Sequence, residues 1–133
     1  MYMRKLFFVF ILALSACSAG RAQTSGKNAS IVLDSTSTSL GIFPKSDCVK
    51  TVVFTFTNVG NDKLVFYDVA PDCGCVTVKL PEKPVKPGKK GQIVVTYNGK
   101  RKSPGTFKRR ISFACSGRPA QFRLQVTGTM TEK

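Results

Sequence analysis

From Val49 to Asn58 the chain alternates, with Val52, Phe54 and Phe56 on one face and Thr51, Val53, Thr55 and Thr57 on the other. Successive side chains of an extended strand point to opposite faces, so this run predicts a half-buried β-strand. The same signature returns along the chain. Ile31–Leu33 and Leu40–Phe43 flank a Ser/Thr-rich interval and read as a first strand broken by a bend or bulge. Lys63–Ala70 reads as a third strand ending at Pro71, and Val76–Leu80 as a fourth. Ile93, Val95 and Tyr97 mark a fifth, Phe107, Ile111 and Phe113 a sixth, and Phe122, Leu124 and Val126 a seventh. Val59-Gly60-Asn61-Asp62 is a turn, and Pro81–Gly91, rich in proline, glycine and lysine, reads as an exposed loop with a type II turn at Pro87-Gly88. Short strands at this spacing predict an immunoglobulin-like β-sandwich of about seven antiparallel strands, with a closed barrel as the alternative. Phe54, Phe56, Phe107, Phe113 and Phe122 are the expected core aromatics.

The N-terminus is organised differently. Arg4-Lys5 precedes an apolar run from Leu6 to Leu14, and small residues follow from Ser15. That order predicts a secretory signal, because the run is short of the ~20 apolar residues a spanning helix needs. Two endings fit. Leu14-Ser15-Ala16-Cys17 has the form of a bacterial lipobox, which would lipidate Cys17, while Gly20-Arg21-Ala22 suits ordinary cleavage before Gln23. All four lipobox positions match and Arg21 is awkward in the second site, so the lipobox is preferred. The expected organisation is a signal over residues 1–22, a flexible tether over 23–30 and one domain over 31–133, exported to the bacterial cell envelope.

Composition narrows the chemistry. The 133 residues contain no histidine and only seven acids, scattered along the chain. Ser-His and Cys-His nucleophile pairs are therefore excluded, and no team of carboxylates suggests itself. No enzyme activity, cofactor or small-molecule substrate is expected. Cleavage before Cys17 leaves 19 basic residues against 7 acidic ones, a net charge of +12. In an exported protein such charge points to anionic lipid, glycan or acidic protein rather than to nucleic acid. The candidate anion-binding residues fall in two loops: Lys83, Lys86, Lys89 and Lys90, then Lys100, Arg101 and Lys102.

Several pieces in order resemble the bacterial domain-of-unknown-function 1573 family. They are Leu40-Gly41-Ile42-Phe43, Phe54-Thr55-Phe56-Thr57-Asn58-Val59-Gly60, Leu64-Val65-Phe66, Cys73-Gly74-Cys75, Val85-Lys86-Pro87-Gly88, Gln92–Tyr97, Gly105-Thr106-Phe107-Lys108 and Leu124–Gly128. Asp72, Val76 and Ala114-Cys115-Ser116 depart from the family pattern. The resemblance implies an exported, often lipid-anchored domain, related in shape to Ig-like modules of ciliary and centrosomal proteins. It implies no activity, since the family has none assigned.

Beyond Cys17, the cysteines are Cys48, Cys73, Cys75 and Cys115. With successive strands antiparallel, Cys48, the Cys73-Gly74-Cys75 turn and Lys100–Lys102 gather at one end of the sandwich, and Cys115 falls at the other. A bridge needs Cα atoms within about 7 Å, so the expected disulfide joins Cys48 to Cys73 or Cys75. Two functions compete. The first is a non-enzymatic envelope module that holds a protein or anionic glycan by loops or a sheet edge. The second is a thiol-redox or metal-handling accessory domain centred on Cys73 and Cys75, with Cys48 as a third ligand and Asp47 or Asp72 as a fourth in the metal case.

Overall fold

A computed structural model describes residues 26–133, and the signal segment, the lipobox with Cys17 and the start of the tether lie outside them. Among the described residues nine strands form two sheets. They are β1 (Ala29–Leu33), β2 (Ser37–Pro44), β3 (Val49–Asn58), β4 (Phe66–Pro71), β5 (Val76–Lys79), β6 (Lys90–Asn98), β7 (Gly105–Cys115), β8 (Gly117–Arg118) and β9 (Gln121–Thr131). One sheet runs in the order β5-β6-β3-β1-β8 and the other β2-β9-β7-β4. This is the expected sandwich, not a barrel.

The core fills the space between the sheets, as the alternation of β3 demands. Phe54 and Phe56 point inward with Ile93, Val95 and Tyr97 of β6, opposite Ile111 and Phe113 of β7 and Leu124 and Val126 of β9. Aromatic rings close both ends. At one end Phe113 stacks on Phe122 at 4.8 Å and Phe66 meets both edge-on at 6.4 Å. At the other, Tyr97 stacks on Phe107 at 4.2 Å, with Phe43 edge-on to each.

The structure differs from expectation in four places. The broken first strand is two strands in different sheets. Asp34 N still bonds Thr55 O on β3, whereas Thr36 O already accepts from Gln125 N on β9, so the chain crosses the sandwich within these residues. Its two halves bring in parallel pairings, β1 with β8 and β2 with β9, in a sandwich otherwise antiparallel. β1 begins inside the stretch expected as tether, with Ala29 buried and Ala29 and Ser30 paired with β8. Finally, the Pro81–Gly91 loop is not wholly exposed: Val85 is buried and bridges Leu64. The type II turn is present, with Gly88 at φ 78° and Lys89 N donating to Lys86 O. Only a residue without a Cβ takes that φ at little cost.

Candidate functional site

The Cys-Gly-Cys segment is the crossover from β4 to β5. Asp72 clamps its start to β7 twice: its N–H donates to Arg110 O at 2.9 Å, and its carboxylate accepts from Arg110 N at 3.0 Å. Beyond it the chain turns tightly, with Val76 N donating to Cys73 O, and Asn98 N on β6 holds Cys75 O at 2.8 Å. Within the turn Cys73 is bonded to Cys75, their Cα atoms 5.1 Å apart. The N–H of Cys75 points back to the Cys73 sulfur at 3.1 Å. Cys73 is half-buried, Gly74 exposed and Cys75 buried.

The expected bridge from Cys48 is therefore corrected: Cys48 is a free, buried thiol. Its O accepts from Gly99 N, and Val49 pairs with Asn98 while Val76 pairs with Tyr97. Cys48 and Cys75 thus lie on opposite sides of β6. Two strand spacings separate them by roughly 9–10 Å, more than a disulfide spans.

The basic loop between β6 and β7 forms the other wall. Its backbone is pinned, with Lys100 N donating to the Asn98 side chain at 3.1 Å, Lys102 N to Gly99 O at 2.9 Å, and Lys45 Nζ to Lys102 O. Lys100 and Arg101 are exposed and Lys102 half-buried. Together with Gly74, Cys75 and Asn98, these three cations line an open concavity of about 580 Å³. No acid lines it. Among the described residues the one ion pair is Lys50 with Asp47 at 2.8 Å, so the rim charges stay unneutralised.

Beneath this end sits an arginine that sequence reasoning passed over. Arg109 occupies an inward position of β7 between Phe107 and Ile111, and its buried Nε has no partner. It lies beside Tyr97, whose phenol is pushed up by burial while the guanidinium pulls the other way. A charge at an otherwise apolar position is the signal that could have marked it.

The remaining candidates are not brought together. Lys83, Lys86, Lys89 and Lys90 are exposed at the opposite end, near the start of β6, where Lys90 pairs with Thr57. Among the described residues no three Cys, Asp or Glu side chains converge as metal ligands. Asp47 is engaged by Lys50 and Asp72 by Arg110 N, which leaves the metal reading without a donor set. Cys115 also sits at the far end, its thiol donating to Pro119 O at 3.4 Å. Burial pushes this thiol up and a hydrogen bond from the Gly117 backbone only partly offsets it. Since the thiolate is the nucleophile, Cys115 is expected to stay unmodified by iodoacetamide at pH 8 in the folded protein and to react once it is unfolded, as read by mass. Labelling at the rate of an exposed thiol would contradict its placement.

Residues 31–130 match the family model described as Protein of unknown function (DUF1573). The chain belongs to this family. Solved structures add the fold of the DUF1573 domain. It resembles a protein of unknown function from Porphyromonas gingivalis W83 at 19% identity and TM-score 0.69, covering 81% of this chain and 50% of that one. The chain thus spans about half the length of that protein. It also resembles an ASH / PapD-like domain of human CEP192 (10% identity, TM-score 0.63, 83% and 91% covered) and the YadV chaperone (17%, 0.52, 77% and 52%). At such identities the likeness is one of fold alone. No curated protein matches the sequence.

Proposed function

We propose that the protein is an exported, non-enzymatic module of the bacterial cell envelope, anchored through a lipidated Cys17, that holds an acidic protein or anionic glycan at its basic end. The observation that carries this reading is the concavity beside Cys75, lined by three cations and, among the described residues, by no acid, while the backbone beneath them is pinned. A loop already ordered loses less entropy on binding, and an unneutralised cluster attracts an anionic partner at long range.

The sheet edges serve less well, because each is blunted. β2 carries an irregularity between Ser39 and Ile42 with Gly41 at φ 75°, and β4 carries another between Phe66 and Asp68 before ending at Pro71. β5 has four residues and β8 two, the latter followed by Pro119. Short, bulged and proline-stopped edges resist an added strand.

Charge reversal tests the reading. The variant Lys100→Glu/Arg101→Glu/Lys102→Glu, crosslinked in intact cells as the full chain, is expected to recover its partner about tenfold less than the parent, and high salt should weaken the parent likewise. Undiminished recovery, with loss instead on reversing Lys83, Lys86 and Lys89, would move the site to the other end.

A further inference from the structure

Binding at the basic end leaves the Cys73–Cys75 bridge without a task, and its surroundings suit one. The bridge is reachable: Asp72 and Gly74 beside it are exposed and Cys73 is only half-buried. Each sulfur also has its own means of carrying negative charge. The Cys75 N–H donates to Cys73 Sγ at 3.1 Å, and Cys75 lines the concavity whose rim is Lys100, Arg101 and Lys102. Positive charge and amide donors favour thiolate over thiol. The bridge adds little to the fold, because it closes a loop with one intervening residue and so removes little entropy from the unfolded chain. The Asp72–Arg110, Val76–Cys73 and Asn98–Cys75 backbone bonds hold the turn independently of it.

We infer that Cys73–Cys75 is an exchangeable disulfide whose co-reactant is the dithiol of a partner protein. A partner thiolate attacks Sγ of Cys73, the less buried of the two residues. The partner–Cys73 bond forms, the Cys73–Cys75 bond breaks, and the electron pair leaves on Cys75 Sγ beside the cationic rim. The partner's second thiolate then attacks its own sulfur in the mixed disulfide, and Cys73 departs as a thiolate that accepts the Cys75 N–H. The partner has lost two electrons and become a disulfide, and Cys73 and Cys75 have gained them. The two protons released by the partner's thiols pass through solvent to the new thiols. A partner disulfide runs the same steps in reverse. Cys48 takes no part, since β6 stands between it and Cys75.

The full-length oxidised protein tests this without any partner, so that failure would leave the binding reading standing. The protein is held in buffers of reduced and oxidised glutathione, quenched with acid, alkylated and weighed. The bridge is expected to open reversibly at ratios that leave structural disulfides closed, with the glutathione adduct on Cys73. Reduction of Lys100→Gln/Arg101→Gln/Lys102→Gln by dithiothreitol should slow about three- to tenfold at low salt as the leaving thiolate loses its cations. Cys73→Ser/Cys75→Ser should melt cooperatively near the parent's midpoint. A bridge that stays closed in excess reduced glutathione, an adduct on Cys75, an unchanged rate in the glutamine variant, or loss of cooperative melting in the serine variant would each overturn the inference.

Discussion

Phe56→Ala is expected to cost about 3–5 kcal/mol of unfolding free energy, read as a lower urea midpoint at unchanged slope. Phe56 is 0% exposed and lies edge-on to Phe66 at 5.5 Å and 79°, where the sheets face one another. Its ring occupies a niche that exists because β6 carries glycine there: a Cβ on Gly91 would sit 2.4 Å from the ring. Removing the ring leaves a hole walled by backbone on one side and by other rings on the other. Those walls cannot slump inward without breaking the β3–β6 ladder, which is registered from Val49 to Thr57. Total stability of a domain this size is about 5–15 kcal/mol, so the loss should lower the melting midpoint by roughly 12 °C or more. A cost under about 1 kcal/mol would show that the niche collapses or was never filled.

Asn58→Ala is the second large effect, expected at about 3 kcal/mol or more. Asn58 is 0% exposed and ties three segments together. Its Oδ1 accepts from Ser30 N at 3.2 Å and Gly60 N at 3.0 Å, and its Nδ2 donates to Asp62 O at 2.7 Å and Val85 O at 2.9 Å. Its own backbone bonds Lys89 O and Gly88 N, so β1, the β3–β4 turn and the lysine-rich loop all converge on one side chain. Alanine strands the groups that depend on it, and each unmatched buried group costs about 1–3 kcal/mol. Asn58→Asp is a sharper probe, since an ionised carboxylate has nothing to donate to Asp62 O and Val85 O. Those carbonyls and the burial raise the folded-state pKa of the new acid above its unfolded value, near 3.9. The penalty is then full above the folded pKa and fades as pH falls below it, so this variant should gain stability from pH 7 to pH 4 relative to the parent. A penalty independent of pH would contradict the geometry.

What the sequence made legible follows from what is local. The alternation of Val49–Asn58 placed Phe54 and Phe56 inward, and Pro87-Gly88 announced its turn, because both depend on a residue and its neighbours. The antiparallel order of strands was enough to gather Cys48, Cys75 and Lys100–Lys102 at one end and to send Cys115 to the other. Strand order within the sheet is not local, however. That β6 lies between β3 and β5 separates Cys48 from Cys75, and no pattern in either strand reveals it. The same holds for Asp34–Ser37, whose polar residues look alike whether the chain bends within one sheet or crosses to another. Val85 is one apolar residue among prolines and lysines, and Leu64, over twenty residues away, decides its burial. Asn58 read only as the last residue of a strand, and β8, two residues long, carried no period at all.

The proposed partner meets the basic end beside Cys73–Cys75. Placing a photo-crosslinking residue at Lys102, at Lys86 in the opposite loop, or at Val53 on the exposed outer face of β3, one per full-length protein in its native cells, tests it most directly. The expected result is a discrete crosslinked species from Lys102, reduced by the Lys100→Glu/Arg101→Glu change, and none from Lys86 or Val53. Equal crosslinking from all three positions, or a discrete species from Lys86 or Val53 alone, would contradict it.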